Sequence, residues 1–199
     1  MKFYKDKKTP AKVEILIEGY FKNISKTRCR AGCSVVLIQD ENKNILVDTG
    51  NPRDEKRLIN ALKKKGLKPE DIDIVVITHF HPDHVGCNHL FKNARFIVSG
   101  VAFWDDIFER SSKYQRLAKN LKLIPTPGHS PDSCTLLIKT ERGIIACVGD
   151  LFWFKGDEKI KLLEEYCFNK KLFYQNRQKI LKIADFIIPG HGKMFKVEK

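Results

Sequence analysis

The stretch Ile77-Thr78-His79-Phe80-His81-Pro82-Asp83-His84 puts three imidazoles and a carboxylate into six consecutive positions. Packing gains nothing from such clustering, because imidazoles repel one another when protonated and need partners when buried. A divalent cation gives every one of them a use. Histidines two apart in an extended segment point the same way, so His79 and His81 can grip one cation. Pro82 suits a helix start and not a continuing strand, so Asp83 and His84 open a helix toward Leu90 and can face a second cation. A single His is more often an ordinary core or surface residue than a ligand. His89, five residues past His84, is read as structural.

Three later turns each carry one group of the same kind. His129 stands at the tip of Pro125-Thr126-Pro127-Gly128-His129, where Gly128 permits close backbone approach and the prolines limit the loop's wandering. Asp150 follows the apolar run Gly143 to Val148. An acid directly after a buried strand is costly unless partnered, and one oxygen on each of two cations is an efficient partnership. His191, in Pro189-Gly190-His191-Gly192, repeats the design of the His129 turn. Asp48, in Asp48-Thr49-Gly50, has two readings: a loop cap, or an acceptor that orients a ligand histidine or the ligand loop.

The elements that must position these groups follow from pattern. Ile72 to Ile77 reads as a strand buried from Ile74 onward, since an unbroken β-branched run suits a parallel sheet covered on both faces. Val13 to Phe21 reads as a first strand, and Ser34–Leu37 with Asn44–Val47 as an antiparallel hairpin turning at Asp40-Glu41-Asn42-Lys43. Arg53 to Lys65 is an amphipathic helix stopped by Gly66. Arg95–Ser99 is another strand, giving a βαβ-like unit. Val101 to Arg110 shows Phe103, Trp104, Ile107 and Phe108 at helical spacing, a packed face. Leu121–Ile124, Ser133–Ile138, Gly143–Val148 and Asp185–Ile188 read as strands. Glu158 to about Ile183 carries a broken helical pattern with a bend near Asn169. Phe152-Trp153-Phe154 is a wall of the substrate cleft, a hydrophobic lid or plain core.

With Asp48, the Thr78–His84 motif, His129, Asp150 and His191 all at strand ends and in this order, the chain resembles the metallo-β-lactamase-fold hydrolases over Asp48 to His191. The resemblance implies an α/β (α+β) fold, a four-layer αββα sandwich of two mixed β-sheets flanked by helices. It implies a first metal on His79, His81 and His129, a second on Asp83, His84 and His191, and Asp150 as the bridge. It also implies a metal-held hydroxide as nucleophile, with Asp83 as a catalytic residue that orients or deprotonates it. The expected activity is that of a binuclear metal-dependent hydrolase acting on an ester, thioester, lactone or phosphoester. Zinc suits a nitrogen-rich site with carboxylates, and manganese or iron accepts similar ligands. True β-lactamases of this fold usually lack the acid at Asp150, and flavodiiron proteins carry a glutamate in place of His81; both branches are disfavoured. The few residues after His191 leave no room for the glutathione-holding domain of glyoxalase-II enzymes, so a compact stand-alone hydrolase is expected. The alternatives are an RNA endonuclease on the same site and a mononuclear iron dioxygenase.

Composition narrows the rest. The 199 residues fit one domain, 1–199, and 42% apolar content is ample for a core. No apolar run suits a membrane span, and the basic start Met1 to Lys8 lacks the apolar stretch of a secretory signal, so a cytoplasmic location is expected. Lys and Arg number 37 against 24 Asp and Glu, a net +13, which attracts anionic substrates. RNA is among them, but lysine is scattered along the whole chain, as in heat-adapted proteins. The six cysteines form no Cys-x-x-Cys pair, exclude a zinc ribbon, and read mostly as small core hydrophobes.

Overall fold

The computed structural model describes residues 10–110, 116–157 and 162–198. Its strands are β1 (Lys12–Ile17), β2 (Tyr20–Ser25), β3 (Arg28–Gly32), β4 (Val35–Asp40), β5 (Lys43–Val47), β6 (Ile74–Val76), β7 (Arg95–Val98) and β8 (Val101–Trp104). Beyond these come β9 (Ile107–Arg110), β10 (Arg116–Ala118), β11 (Leu121–Pro125), β12 (Cys134–Thr140), β13 (Gly143–Cys147), β14 (Phe186–Ile188) and β15 (Phe195–Lys196). The helices are α1 (Glu55–Lys63), α2 (Pro82–Val85), α3 (Leu162–Glu165) and α4 (Lys170–Ile183).

Two mixed sheets form, ordered β1-β4-β5-β6-β7-β8-β9 and β10-β11-β12-β13-β14-β15, with β2-β3 as a separate two-stranded ribbon. The β-branched strand β6 lies parallel to both β5 and β7, which is why it is apolar without alternation. In the second sheet the period of two decides which layer each residue joins. Cys134, Leu136 and Ile138 of β12 join the core shared with the first sheet, while Leu137 between them joins the core under α4. β13 divides likewise, Ile145 and Cys147 against Ala146. Helix α1 buries Leu58 and Leu62 on the first sheet's outer side, and α4 buries Phe173 and Ile180 on the second's. The order helix, sheet, sheet, helix is the four-layer arrangement the sequence resemblance implies.

Three readings are corrected. Val101 to Arg110 is a hairpin, β8 and β9, because Asp105 takes a left-handed turn (φ 49°) and Phe103 pairs across the strands with Phe108. The stacked rings Phe96, Phe103 and Phe108 then supply the cross-strand packing that apolar spacing alone did not distinguish from a helix face. Val13 to Phe21 splits into β1 and the start of β2, and the helix from His84 toward Leu90 stops at Val85 before a separate 3-10 turn, Asn88–Leu90. The helical pattern of 158–183 is broken as read. Asn169 caps α4 through a bond from the Leu172 amide at 3.0 Å, while residues 158–161 lie outside the described residues. Cys33, Cys87, Cys134 and Cys147 are buried, and Cys29 is exposed. No helix among the described residues is long and apolar enough to cross a membrane.

Candidate metal centre

The strand ends bring the sequence-flagged groups to one place. The loop after β6 carries His79 and His81, α2 carries Asp83 and His84, the turn between β11 and β12 carries His129, the 3-10 turn after β13 carries Asp150, and the loop after β14 carries His191. Ligand-capable atoms of His79, His81, His129 and Asp150 all lie within 4.8 Å of one another, and so do those of Asp83, His84 and His191. Asp150 touches both groups: Oδ2 is 3.4 Å from His129 Nε2 and 3.1 Å from His191 Nε2, and Oδ1 is 3.2 Å from His84 Nε2. His89 stays outside, exposed and paired with Glu55 at 3.2 Å.

The backbone fits these approaches closely. A Cβ on Gly190 would stand 2.2 Å from Asp150 Oδ1, so only glycine lets the His191 loop pass the carboxylate. Asp48, at φ 56°, accepts from the Thr78 amide at 2.7 Å and the Thr78 hydroxyl at 2.8 Å, and its Oδ2 lies 2.8 Å from His84 Nδ1. Of the two readings of Asp48, this geometry places the carboxylate against a site imidazole.

Comparison with known proteins agrees with the geometry. A family model for the metallo-beta-lactamase superfamily matches residues 30–102. Metallo-beta-lactamase domain-containing protein 1 of Xenopus laevis is 34% identical over 96% of this chain and 84% of its own length. The chain belongs to the metallo-beta-lactamase superfamily. A probable metallo-hydrolase of Methanocaldococcus jannaschii is 33% identical over 78% of this chain and 74% of its own. Two solved lactonases share the fold. One is an N-acyl homoserine lactone hydrolase with product bound at its catalytic metal centre (TM-score 0.66, 20% identity, 92% of this chain and 93% of that one). The other is a dizinc quorum-quenching lactonase (TM-score 0.63, 19% identity, 82% and 73%). As a superfamily member the chain is a metal-dependent hydrolase, and the superfamily implies divalent metal ions.

The site's own hydrogen bonds test whether this metallo-beta-lactamase cluster suits such ions. His191 Nδ1 faces the Gly32 carbonyl at 3.1 Å, which can only accept, so Nδ1 carries a proton, and in the neutral imidazole Nε2 presents a lone pair to Asp150. His84 Nδ1 donates to Asp48 in the same way. Thr78 spends its hydroxyl proton on Asp48, so it accepts from His79 Nδ1 at 3.2 Å. Three Nε2 lone pairs therefore converge on a carboxylate that also bears lone pairs. His79 Nε2, His84 Nε2, Asp83 Oδ2 and Asp150 Oδ1 are moreover buried without a hydrogen-bond partner. With neutral imidazoles such an arrangement is repulsive and is relieved by cations between the atoms.

Electrostatics shows the same demand for positive charge at the carboxylates. Burial holds the His79 imidazole well below its ordinary pKa and pushes His129 down to about 4. At His84 and His191 burial works against the charged form, but the carboxylates outweigh it, Asp48 and Asp150 at His84 and Asp150 at His191, and both are raised. Asp150 is held well below the usual carboxylate range against the opposing effect of burial, through His191 and His84. A buried carboxylate thus demands positive charge at the position where the imidazoles converge.

One support was not legible in the sequence, and the sequence leaves a second open between readings. Asp132 Oδ2 accepts from the Phe80 amide at 2.9 Å, tying the His129 turn to the His79–His81 loop. Its only sequence signal is an acid three residues past the histidine. Of the aromatic triplet, Phe152 is buried in the core under α4, whereas Trp153 stands edge-on to His191 with ring centres 5.6 Å apart, flanked by Phe21 and Tyr166.

Proposed function

We propose that the chain is a binuclear metal hydrolase, residues 1–199 forming one domain, that cleaves an ester, thioester, lactone or phosphoester bearing an anionic group. On this reading His79, His81 and His129 hold one cation, Asp83, His84 and His191 hold a second, and Asp150 spans the two. The observation that carries it is the convergence of the His79, His84 and His191 Nε2 lone pairs on Asp150. Zinc is the expected ion. Bound there, a pair of divalent ions supplies a water made acidic at neutral pH and a Lewis acid for the substrate oxygen.

The protein's own groups do the remaining work. Asp48 fixes the His84 tautomer through Nδ1, which keeps Nε2 free as a ligand and raises its basicity. Asp83 is half-buried, with Oδ2 3.8 Å from His191 Nε2, so its carboxylate can orient the attacking water and take its proton. Trp153, beside His191, closes one side of the site against bulk water.

The β2–β3 ribbon supports an anionic substrate. It meets the site at its base, where Gly32 accepts from His191 and the Phe21 ring packs at a tilt on Trp153, ring centres 4.9 Å apart. It carries Lys22, Lys26, Arg28 and Arg30, all exposed, and no acid. That charge also motivates a second reading, an RNA endonuclease on the same site.

The test is metal analysis of the purified chain followed by assay against thioester, lactone, phosphodiester and RNA panels. Two metals per chain are expected, with hydrolysis abolished by chelation and restored by zinc. RNA cleavage falling steeply with salt would select the second reading. Turnover indifferent to chelator rules out both, and one iron per chain with oxygen consumption would identify a dioxygenase instead.

A further inference from the structure

We propose that Arg177 and Asp157 are positioning residues that fix the Asp150 carboxylate relative to His129, with α4 as the abutment for both loops. The inference rests on the reading above, in which Asp150 and His129 are metal ligands.

Arg177 is buried in α4. Its Nη1 donates to the Leu151 carbonyl at 2.9 Å and to Asp157 Oδ2 at 3.2 Å, and its Nη2 donates to Asp157 Oδ1. Asp157, fully buried, also accepts from the Trp153 amide at 2.6 Å. The guanidinium lies 3.9 Å from the centre of the Phe152 ring. The three residues directly after Asp150 are therefore each held, one by its carbonyl, one by its ring and one by its amide. From that anchored strip the hold passes to His191, whose amide donates to the Trp153 carbonyl at 2.8 Å.

The neighbouring residue on the same helix holds the other loop. Asn176 Nδ2 donates to the Pro127 carbonyl at 2.7 Å. Just before the helix, the Phe168 amide donates to the His129 carbonyl at 3.0 Å and the Asn169 amide to that of Gly128 at 2.9 Å. Gly128 is so near α4 that a Cβ on it would come within 2.4 Å of Phe173 Cα. Asn176 and Arg177, adjacent in sequence, thus set the two loops whose side chains meet at 3.4 Å, His129 Nε2 to Asp150 Oδ2.

Stability alone does not account for the buried pair, since apolar replacements of such pairs are often neutral or stabilising. Orientation does. A guanidinium offers a planar fork of donors that fixes several acceptors at once, and a site built from distant loops must hold its ligands within about 0.5 Å.

The test compares zinc affinity, by competition with a chromogenic chelator, and the cobalt(II) absorption spectrum among four proteins: wild type, Arg177→Lys, the pair Arg177→Met with Asp157→Leu, and Asp150→Asn. Lysine keeps the charge without the fork, and the pair removes both charges while filling the space. Zinc binding about 10–100-fold weaker, with an altered cobalt spectrum, is expected in Arg177→Lys and in the pair, even when folded. A purely structural role would lower the unfolding midpoint and leave the spectrum of the folded protein unchanged. Wild-type affinity and spectrum in either folded variant overturns the inference. Should neither fold, hydrogen exchange on the wild-type chain decides: zinc is expected to slow the Trp153 amide at least about tenfold through the shared strip, and no change overturns the inference. Asp150→Asn separates the two levels. If it binds zinc like wild type, the ligand assignment fails; if it alone loses zinc, only the positioning role fails.

Discussion

Asp48 Oδ2 and His84 Nδ1 stand 2.8 Å apart with both side chains buried, and the same carboxylate receives both donors of Thr78. One acid therefore sets the tautomer of an imidazole and the path of the loop that leads to His79. Asp48→Asn keeps the shape but removes the charge that raises His84. Zinc affinity is expected to fall about 10–100-fold, as for other outer partners of ligand histidines. Chelator competition measures it, and unchanged affinity would show that Asp48 is only a loop cap.

Asp150 is the group shared by both halves of the cluster, so its loss should exceed that of any outer contact. Asp150→Asn is expected to bind fewer than two metals per chain and to lose about 100-fold or more in kcat/KM, the scale of removing a main electrostatic stabiliser. Full activity with two metals retained would disprove the bridge.

Gly190 predicts a steric effect separable from chemistry. A Cβ 2.2 Å from Asp150 Oδ1 must displace either the carboxylate or the His191 loop. Gly190→Ala is expected to destabilise the chain by about 1–3 kcal/mol, the usual range for overpacking. Urea unfolding in chelator reads this without metal. A midpoint equal to wild type would mean the loop yields freely, against its close fit to the carboxylate.

Metal removal tests the repulsion among the lone pairs. Ions that bind only the folded chain add about 2.7 kcal/mol at a free concentration a hundred times Kd. Chelation should therefore lower the thermal midpoint by several degrees, and zinc should restore it in a concentration-dependent way. A midpoint insensitive to both would argue that the cluster holds no ion.

The ribbon predicts a charge effect. Replacing Lys22, Lys26, Arg28 and Arg30 by Gln should raise KM for anionic substrates about 3–10-fold at low salt and leave kcat near wild type. Equal losses on neutral and anionic substrates would assign the ribbon a different role.

What was legible in the sequence was local. The run Ile74-Val75-Val76 names a buried parallel strand, and a cluster such as His79, His81, Asp83 and His84 has few uses other than cations. Asp150 stood out because an acid ending an apolar run needs a partner. Illegible were features fixed by distant pairing. Val101 to Arg110 satisfied a helical spacing, and only the turn at Asp105 and the stacking of Phe103 on Phe108 select a hairpin. The ribbon was missed because Arg28 to Gly32 has little apolar alternation; its strands are stabilised by each other and by Phe21 against Trp153. Arg177 gave no signal at all, since a basic residue in a lysine-rich helix looks solvated until Asp157, twenty residues earlier, is folded against it.

The ribbon β2–β3 joins neither sheet, yet its base touches His191. Its length, charge and tip can therefore vary without disturbing the register of any core strand. In this architecture the histidine and aspartate cluster belongs to the loops of the sandwich, while the basic ribbon beside it is anchored only at its base and is free to diverge at its tip.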